Sequence, residues 1–405
     1  AAFGLARQLG GPRLAWVATA ILVASRAVGF LEYGRQMLGE VPGLFFMLAG
    51  LWVWFGAWER AGWGRLSLAG SLLGLAAVTK QQYLLVLAPT LLAAWGLNLF
   101  YHRSAPQRVF LAPGLLTAAW FAAWQAYLMA FLGPGSFAEN LEQYREFTAG
   151  AALVFSPALM ARGVQELLHP RVFLWALFPA LAYGLRLIRP RDRAGHQWAI
   201  LWVLVAWNLV WYVFASVSWL RYAFPALAVS SLFIARFFAD LAGNFQLDWR
   251  GLLAAVRAGG RRSVGELVRA GLLAWLAALV LIPAGQTAQD IFWPPVNQAR
   301  ALADYLYQNV PLEPVVETWE PEMGFLTDHR YHYPPQILLN TAVKHVWQGG
   351  PSPVAEYTFI QDEQPGYVLA GAFSRWVGLY PPETLAHSYD LLAEFGAYQL
   401  YRRRP

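Results

Sequence analysis

Residues 41–58 read VPGLFFMLAGLWVWFGAW, eighteen positions without a charged side chain. The run is apolar on every side of a helical wheel, which is the pattern of a helix surrounded by lipid. Hydrocarbon offers no partner to a backbone amide, so a segment that crosses it must satisfy its own N–H and C=O groups, and a helix does this alone. Ten-residue segments of alternating polarity, the mark of an outer-membrane barrel, are absent from the sequence.

Similar runs lie on both sides. Upstream is 14–30; downstream are 66–79, 83–101, 109–132, 172–188, 197–217, 222–239 and 270–287. Lys80-Gln81-Gln82 alone separates 66–79 from 83–101. Pro42, Pro89, Pro113, Pro179 and Pro225 sit in or at the ends of these runs, where membrane helices accept them. The expected fold is an all-α polytopic membrane protein with about nine transmembrane helices over residues 1–287. A small α/β extracytoplasmic C-terminal domain follows over 288–405. Within the membrane part, 133–170 carries charges on amphipathic segments and is expected as interfacial helices. Residues 240–269 form a basic linker. In the tail, Ala299 to Gln308 has the helical period, and 314–318, 367–373 and 397–402 read as strands.

Composition agrees. The chain is 58% hydrophobic and 13% charged, with 20 Trp among 405 residues. A soluble fold has no place for that apolar excess. The net charge is +6, carried mostly by Arg, since Lys occurs only at Lys80 and Lys344. Arg blocks with interleaved aromatics are missing, which argues against a nucleic-acid partner. With no cysteine, disulfides, thiol nucleophiles and Cys-ligated metals are excluded.

The basic residues set an orientation. With the N-terminus cytoplasmic, the inside segments hold Arg7, Arg13, Arg60, Arg65, Arg103, Arg108, Arg186, Arg189, Arg191, Arg193, Arg250, Arg257, Arg261, Arg262 and Arg269, fifteen in all. The outside segments hold six: Arg35, Lys80, Arg145, Arg162, Arg171 and Arg221. Basic loops stay inside, so this orientation is favoured and the tail lies outside the cell membrane.

Charges that this bias does not explain are candidates for function. Glu40 stands where run 41–58 begins, after Arg35; it can orient an acceptor, assist a base or touch a metal, or simply face the helix dipole beside Arg35. Thr79-Lys80-Gln81-Gln82 can bind an anionic headgroup, or Lys80 can snorkel to lipid phosphate. Ser218-Trp219-Leu220-Arg221-Tyr222 offers a guanidinium fork to a phosphate, or a plain interfacial anchor. Glu139, Glu142, Arg145 and Glu146 fit a solvated face. Asp328, His329 and His332 fit a surface loop better than a metal site, and His102 and His196 fall in cytoplasmic loops.

The order of these elements resembles a known family. Arg35-Gln36-Met37-Leu38-Gly39-Glu40-Val41-Pro42, an apolar run, a short Arg-containing loop, then Leu68-Ala69-Gly70-Ser71-Leu72-Leu73-Gly74-Leu75-Ala76-Ala77-Val78-Thr79-Lys80 is similar to the GT-C membrane glycosyltransferases, nearest to the protein mannosyltransferase and aminoarabinose-transferase-like group. Arg221-Tyr222, with Pro225 three positions on, resembles a later element of that group. The resemblance covers about residues 1–240; the tail matches in placement only. It implies transfer of a hexose or pentose from a polyprenyl-phosphate donor to a glycan, lipid or protein acceptor on the outer face. It implies a catalytic role for Glu40 and substrate binding by Arg35, Lys80, Gln81, Arg221 and Tyr222. A divalent metal is compatible with the family, but no residue here is assigned to one. The family carries its main catalytic acid in the first outer loop, often as Asp-Glu. The only such pair here, Asp362-Glu363, lies in the tail. Either the first catalytic loop precedes Ala1, which is the expectation, or the chain is a divergent member of the group. The competing readings are a transporter or flippase for a lipid-linked substrate, with Asn208 and Gln125 as its polar groups within the spans, and a non-catalytic scaffold.

Overall fold

The computed structural model describes residues 1–36, 39–59, 61–246, 261–294 and 296–405. Most of the basic linker, with Arg250 and Arg257, and also Arg60, falls outside them. The chain divides into two compact units: residues 1–140 with 155–288, and residues 141–154 with 289–405.

The first unit is helical. In order it holds α1 (Ala2–Ala24), α2 (Phe30–Gly34), α3 (Glu40–Ala57), α4 (Trp63–Thr79), α5 (Gln81–Leu97), α6 (Arg108–Leu132), α7 (Pro134–Ala151, which runs on into the second unit), α8 (Pro157–Leu168), α9 (Leu177–Leu187), α10 (Arg193–Ala215), α11 (Phe224–Leu241) and α12 (Arg261–Phe292, which also passes the boundary). Among the described residues, six helical stretches are long and apolar enough to cross a membrane: Glu40–Ala57, Gln81–His102, Arg108–Leu132, Arg193–Ala215, Leu220–Leu241 and Val264–Phe292. The remaining three of the nine expected runs take other forms. The expected run 14–30 stops at Ala24, where Ser25 turns extended, and α1 begins earlier and breaks at Gly10-Gly11, Gly11 having φ 83°. The α4 helix has 17 residues, and run 172–188 gives only the 11-residue α9 after a distorted turn at Phe173–Trp175. Segment 133–170 forms two helices, α7 and α8, as its amphipathic pattern suggests.

Burial orders the bundle. The Leu220–Leu241 stretch is 83% buried, while Arg108–Leu132 is 6% buried. So α11 forms the centre of the unit and α6 its periphery, its apolar surface left for lipid. Small residues form the seams, since membrane helices gain little from apolar burial and depend on close backbone approach. A Cβ on Gly50 would meet Leu73 at 2.8 Å. One on Gly70 would come within 2.9 Å of the Pro113 Cα, and one on Gly74 within 2.6 Å of Trp120. Hydroxyls inside the bundle bond back one turn: Thr90 to Val86, Thr117 to Pro113, Ser216 to Tyr212 and Ser230 to Ala226. That satisfies them without another helix. His102 and His196 are buried, not in loops: their rings stack at 4.6 Å, and His196 contacts Ser104 Oγ and the Ala94 carbonyl.

The second unit has a mixed five-stranded sheet in the order β2-β1-β3-β5-β4, from β1 (Val315–Thr318), β2 (Arg330–His332), β3 (Tyr367–Ala370), β4 (Tyr389–Phe395) and β5 (Tyr398–Arg403). The first three strands are parallel; β5 runs antiparallel to β3 and β4. Alternation along the strands supplies two cores. Val316, Leu369 and Leu400 cluster with Leu302 and Leu306 of α13 (Gln298–Asn309). On the opposite face Val368 and Ala370 cluster with Leu338 and Ala342 of α14 (Leu338–Gln348). Gln348 also donates to the Gly150 carbonyl at 3.0 Å, which ties 141–154 to this unit. The expected strand 367–373 ends at Ala370, because Gly371 caps a short helix, Ala372–Trp376. His329 and His332 are not in a surface loop: His329 is buried and contacts the Val310 carbonyl, and His332 closes β2. Glu317 is fully buried and accepts from Tyr357 and Tyr380, both at 2.8 Å, with His332 Nδ1 at 2.6 Å. Burial pushes its carboxyl group up in pKa, while the three partners pull it down.

Two stability effects follow. Gly70→Ala is expected to lower the unfolding temperature in detergent, at a cost of about 1–3 kcal/mol, because the α6 backbone must shift. Gly64→Ala, with open space around its Cβ, is expected to leave it unchanged; equal behaviour of the two variants would refute the seam. Glu317→Ala is expected to cost about 1–3 kcal/mol for each buried hydroxyl it strands, and the full chain should lose cooperative melting of the sheet unit at lower temperature, read by near-UV circular dichroism.

Candidate active site

The site is built from three short segments, each placed by a local break in helix. The first is the entry to α3. Gly39 has φ 81°, a backbone that L side chains rarely adopt, and a Cβ there would meet the Thr79 carbonyl at 3.0 Å. The chain can therefore pass against the end of α4 before Glu40 opens α3. One turn on, a Cβ at Gly43 would lie 2.2 Å from the Tyr83 ring. With no side chain at Gly43 the ring seats there, and Tyr83 OH donates to the Glu40 backbone carbonyl at 2.5 Å.

The second segment is the α4–α5 junction. Lys80 is extended, with φ −155° and ψ 125°, so its side chain leaves the line of both helices. The third is the α10–α11 junction. Ser218 has φ 58°, and a single turn over Leu220–Ala223 delivers Arg221 before α11 opens at Phe224-Pro225. Asn208 of α10 secures this turn: its amide donates to the Tyr222 carbonyl at 3.2 Å and its oxygen accepts from the Ala226 N–H at 2.9 Å. Gln82 Nε2 reaches the same Tyr222 carbonyl at 2.6 Å, linking the second segment to the third.

The three segments meet at one atom. Lys80 Nζ and Arg221 Nε both donate to Glu40 Oε1. The Glu40 side chain is fully buried, and those of Lys80 and Arg221 are 18% and 16% exposed. The second carboxylate oxygen, Oε2, is buried with no hydrogen-bond partner among the described residues. One carboxylate faces two cations, so the cluster retains positive charge. Burial, with Arg221 nearby, pulls the Lys80 pKa below its ordinary value, while the bond to Glu40 opposes that. The Arg221 guanidinium also lies 5.3 Å from the Trp219 ring centroid, within cation–π range. Such a cluster can hold an anion with preset donors.

The other expected residues are placed as follows. Tyr222 contributes its backbone carbonyl, and its ring packs edge-on to Trp211 and Trp219. Gln81 opens α5, its Oε1 buried without a partner among the described residues. Arg35 is exposed at the end of α2 and does not pair with Glu40, whose partners come from more distant segments. Arg145 pairs with Glu142 on an exposed face. Among the described residues no group of three or more His, Asp or Glu side chains is placed to hold a metal, and Glu40, flanked by two cations, is no ligand set for a divalent ion. The sequence reading missed Tyr83 and Asn208 as site-building residues. It also missed Tyr33, which packs on Phe224 and whose hydroxyl is pushed up to about 12 by burial. The available signals were a tyrosine at the start of a span and an asparagine inside one.

A bundle of apolar helices whose ends converge on a buried acid and two cations, with a mixed-sheet unit in the same chain, defines a polytopic membrane protein. Comparison with known proteins gives the fold more closely. No protein-family model matches the sequence, and no curated protein matches it. Solved structures do match. ArnT from Cupriavidus metallidurans bound to undecaprenyl phosphate aligns with a TM-score of 0.59 and 15% identity, over 99% of this chain and 80% of that one. The apo form of the same protein gives 0.56 and 14%, with the same coverage. The apo oligosaccharyltransferase of Archaeoglobus fulgidus gives 0.54 and 13%, over all of this chain and 62% of that one. The chain has the GT-C fold.

Asn208→Leu is expected to destabilise the protein in detergent by about 1–3 kcal/mol, since it strands the Tyr222 carbonyl and the Ala226 amide. A melting temperature equal to the parent's would remove Asn208 from the site's support.

Proposed function

We propose that the protein is a membrane glycosyltransferase that moves a hexose or pentose from a polyprenyl-phosphate donor to a lipid, glycan or protein acceptor on the outer face of the membrane. The observation that carries this reading is the convergence of Lys80 and Arg221 on Glu40 at the ends of apolar helices. When the bond between sugar and phosphate breaks, negative charge grows on the phosphate of the leaving lipid. Cations fixed beforehand in a partly buried site stabilise that charge without having to reorganise. Lys80 serves as a point charge and Arg221 as a planar fork, two complementary ways to grip phosphate. The GT-C fold supports the reading, and so do solved relatives bound to undecaprenyl phosphate and, in an archaeal oligosaccharyltransferase complex with a TM-score of 0.50, to dolichol phosphate.

The outer-face assignment rests on the distribution of arginines, which keeps the basic loops inside. On that topology α1, α4 and α9 also cross or enter the bilayer, and the sheet unit is extracytoplasmic. The transporter reading loses one of its two polar groups, because both ends of the Asn208 amide are committed to the backbone around Tyr222.

In the full-length protein, Lys80→Ala and Arg221→Ala are each expected to lower sugar transfer from a polyprenyl-phosphate donor at least about 100-fold, the scale for losing a preorganised charge donor. The assay follows labelled sugar into acceptor in membranes. Retained activity in both variants would remove these residues from the site.

A further inference from the structure

The way Glu40 is held differs from the way an acid–base group or a simple buried ion pair is held. Both cations bond to Oε1, and Oε2 lies buried with no partner among the described residues. A buried carboxylate is best satisfied through both oxygens, and a guanidinium pairs most strongly side-on through two N–H groups. Neither holds here. Among the described residues Arg221 bonds to Glu40 through Nε alone, which leaves its terminal NH1 and NH2 groups for another acceptor. Lys80 has two further N–H donors, and its side chain is 18% exposed while Glu40 is wholly enclosed. The carboxylate thus sits behind the cations and holds them by the minimum of contacts.

We infer that Glu40 is a positioning residue, a resident anion that keeps Lys80 and Arg221 aimed at one point and limits how tightly they hold the lipid phosphate after transfer. This rests on the proposed function and deepens it by assigning product release to the same site. It replaces, for Glu40, the acid–base or acceptor-orienting role that its place at the start of α3 suggests. The reasoning is electrostatic. Two buried cations with no counter-ion would bind a phosphate so strongly that the spent polyprenyl phosphate would block the next turnover. They would also be costly to bury in the empty protein. One carboxylate behind them answers both problems, because its charge repels the phosphate at short range in a poorly screened setting. No bond to Glu40 forms or breaks in this role.

The test measures binding of undecaprenyl phosphate to the purified full-length protein in lipid nanodiscs, with undecaprenol as baseline. Lys80→Gln and Arg221→Gln are expected to weaken binding at least about tenfold; if neither does, the proposed site itself fails. Glu40→Gln removes the charge and keeps the shape, and is expected to tighten binding about tenfold or more. In the transfer assay it should slow the turnovers after the first more than it slows the first. Weaker or unchanged binding in Glu40→Gln, with the two cation variants impaired, would overturn the inference and leave the proposed site standing. A first turnover slowed as much as the later ones would do the same and restore a catalytic role. If Glu40→Gln does not fold alone, undecaprenyl phosphate added during solubilisation is expected to rescue it, since the phosphate replaces the missing anion. Failure of that rescue would likewise overturn the inference.

Discussion

A carboxylate taken out of water at the end of a membrane helix is strongly unfavourable unless cations meet it. Glu40 is met by two, and the α4–α5 and α10–α11 junctions are shaped to bring them there. The α4–α5 junction must break at Lys80 to send its side chain sideways, and the α10–α11 junction must turn tightly to present Arg221. Each break exposes backbone groups that a helix would have satisfied. Gln82 and Asn208 take up those groups, and both do so at the Tyr222 carbonyl. The side chains of Gln82 and Asn208 therefore have structural work, apart from the ion pairs at Glu40.

The sheet unit solves a related problem by other means. Glu317 is as buried as Glu40, but its partners are two tyrosine hydroxyls and one imidazole nitrogen, which use both of its oxygens. A carboxylate satisfied in that way is part of a core. The contrast shows what sets Glu40 apart: one oxygen is crowded with charge and the other has no bond.

Much of the helical architecture was legible in the sequence, because long uncharged runs such as 41–58 and 109–132 have few alternatives in lipid. The runs that misled did so for identifiable reasons. In 14–30 and 172–188 mean hydropathy hid backbone breaks, set by Ser25 in the first and by Phe173, Leu174 and Trp175, all at positive φ, in the second. Strand β4, reading YDLLAEF, was passed over because its burial is partial and its polarity mixed, as suits a sheet edge. At the site, spacing brought out Glu40, Lys80 and Arg221 singly, as charges the topology did not explain. It could not pair them: the nearest cation in sequence, Arg35, does not pair with Glu40, and the true partners lie 40 and 181 residues along the chain. Tertiary contacts of that range leave no local period to read.

The shared oxygen has a consequence for how such a protein can change over time. Lys80 and Arg221 are each less costly to bury while Glu40 stands behind them, and Glu40 is tolerable only while at least one of them remains. Gly39, Gly43 and Tyr83 then matter because they fix where that carboxylate stands. A lineage can alter the sheet unit or the lipid-facing side of α6 freely by comparison. Losing one cation leaves Glu40 a partner while losing both strands it, so the acid should disappear wherever both cations have been lost.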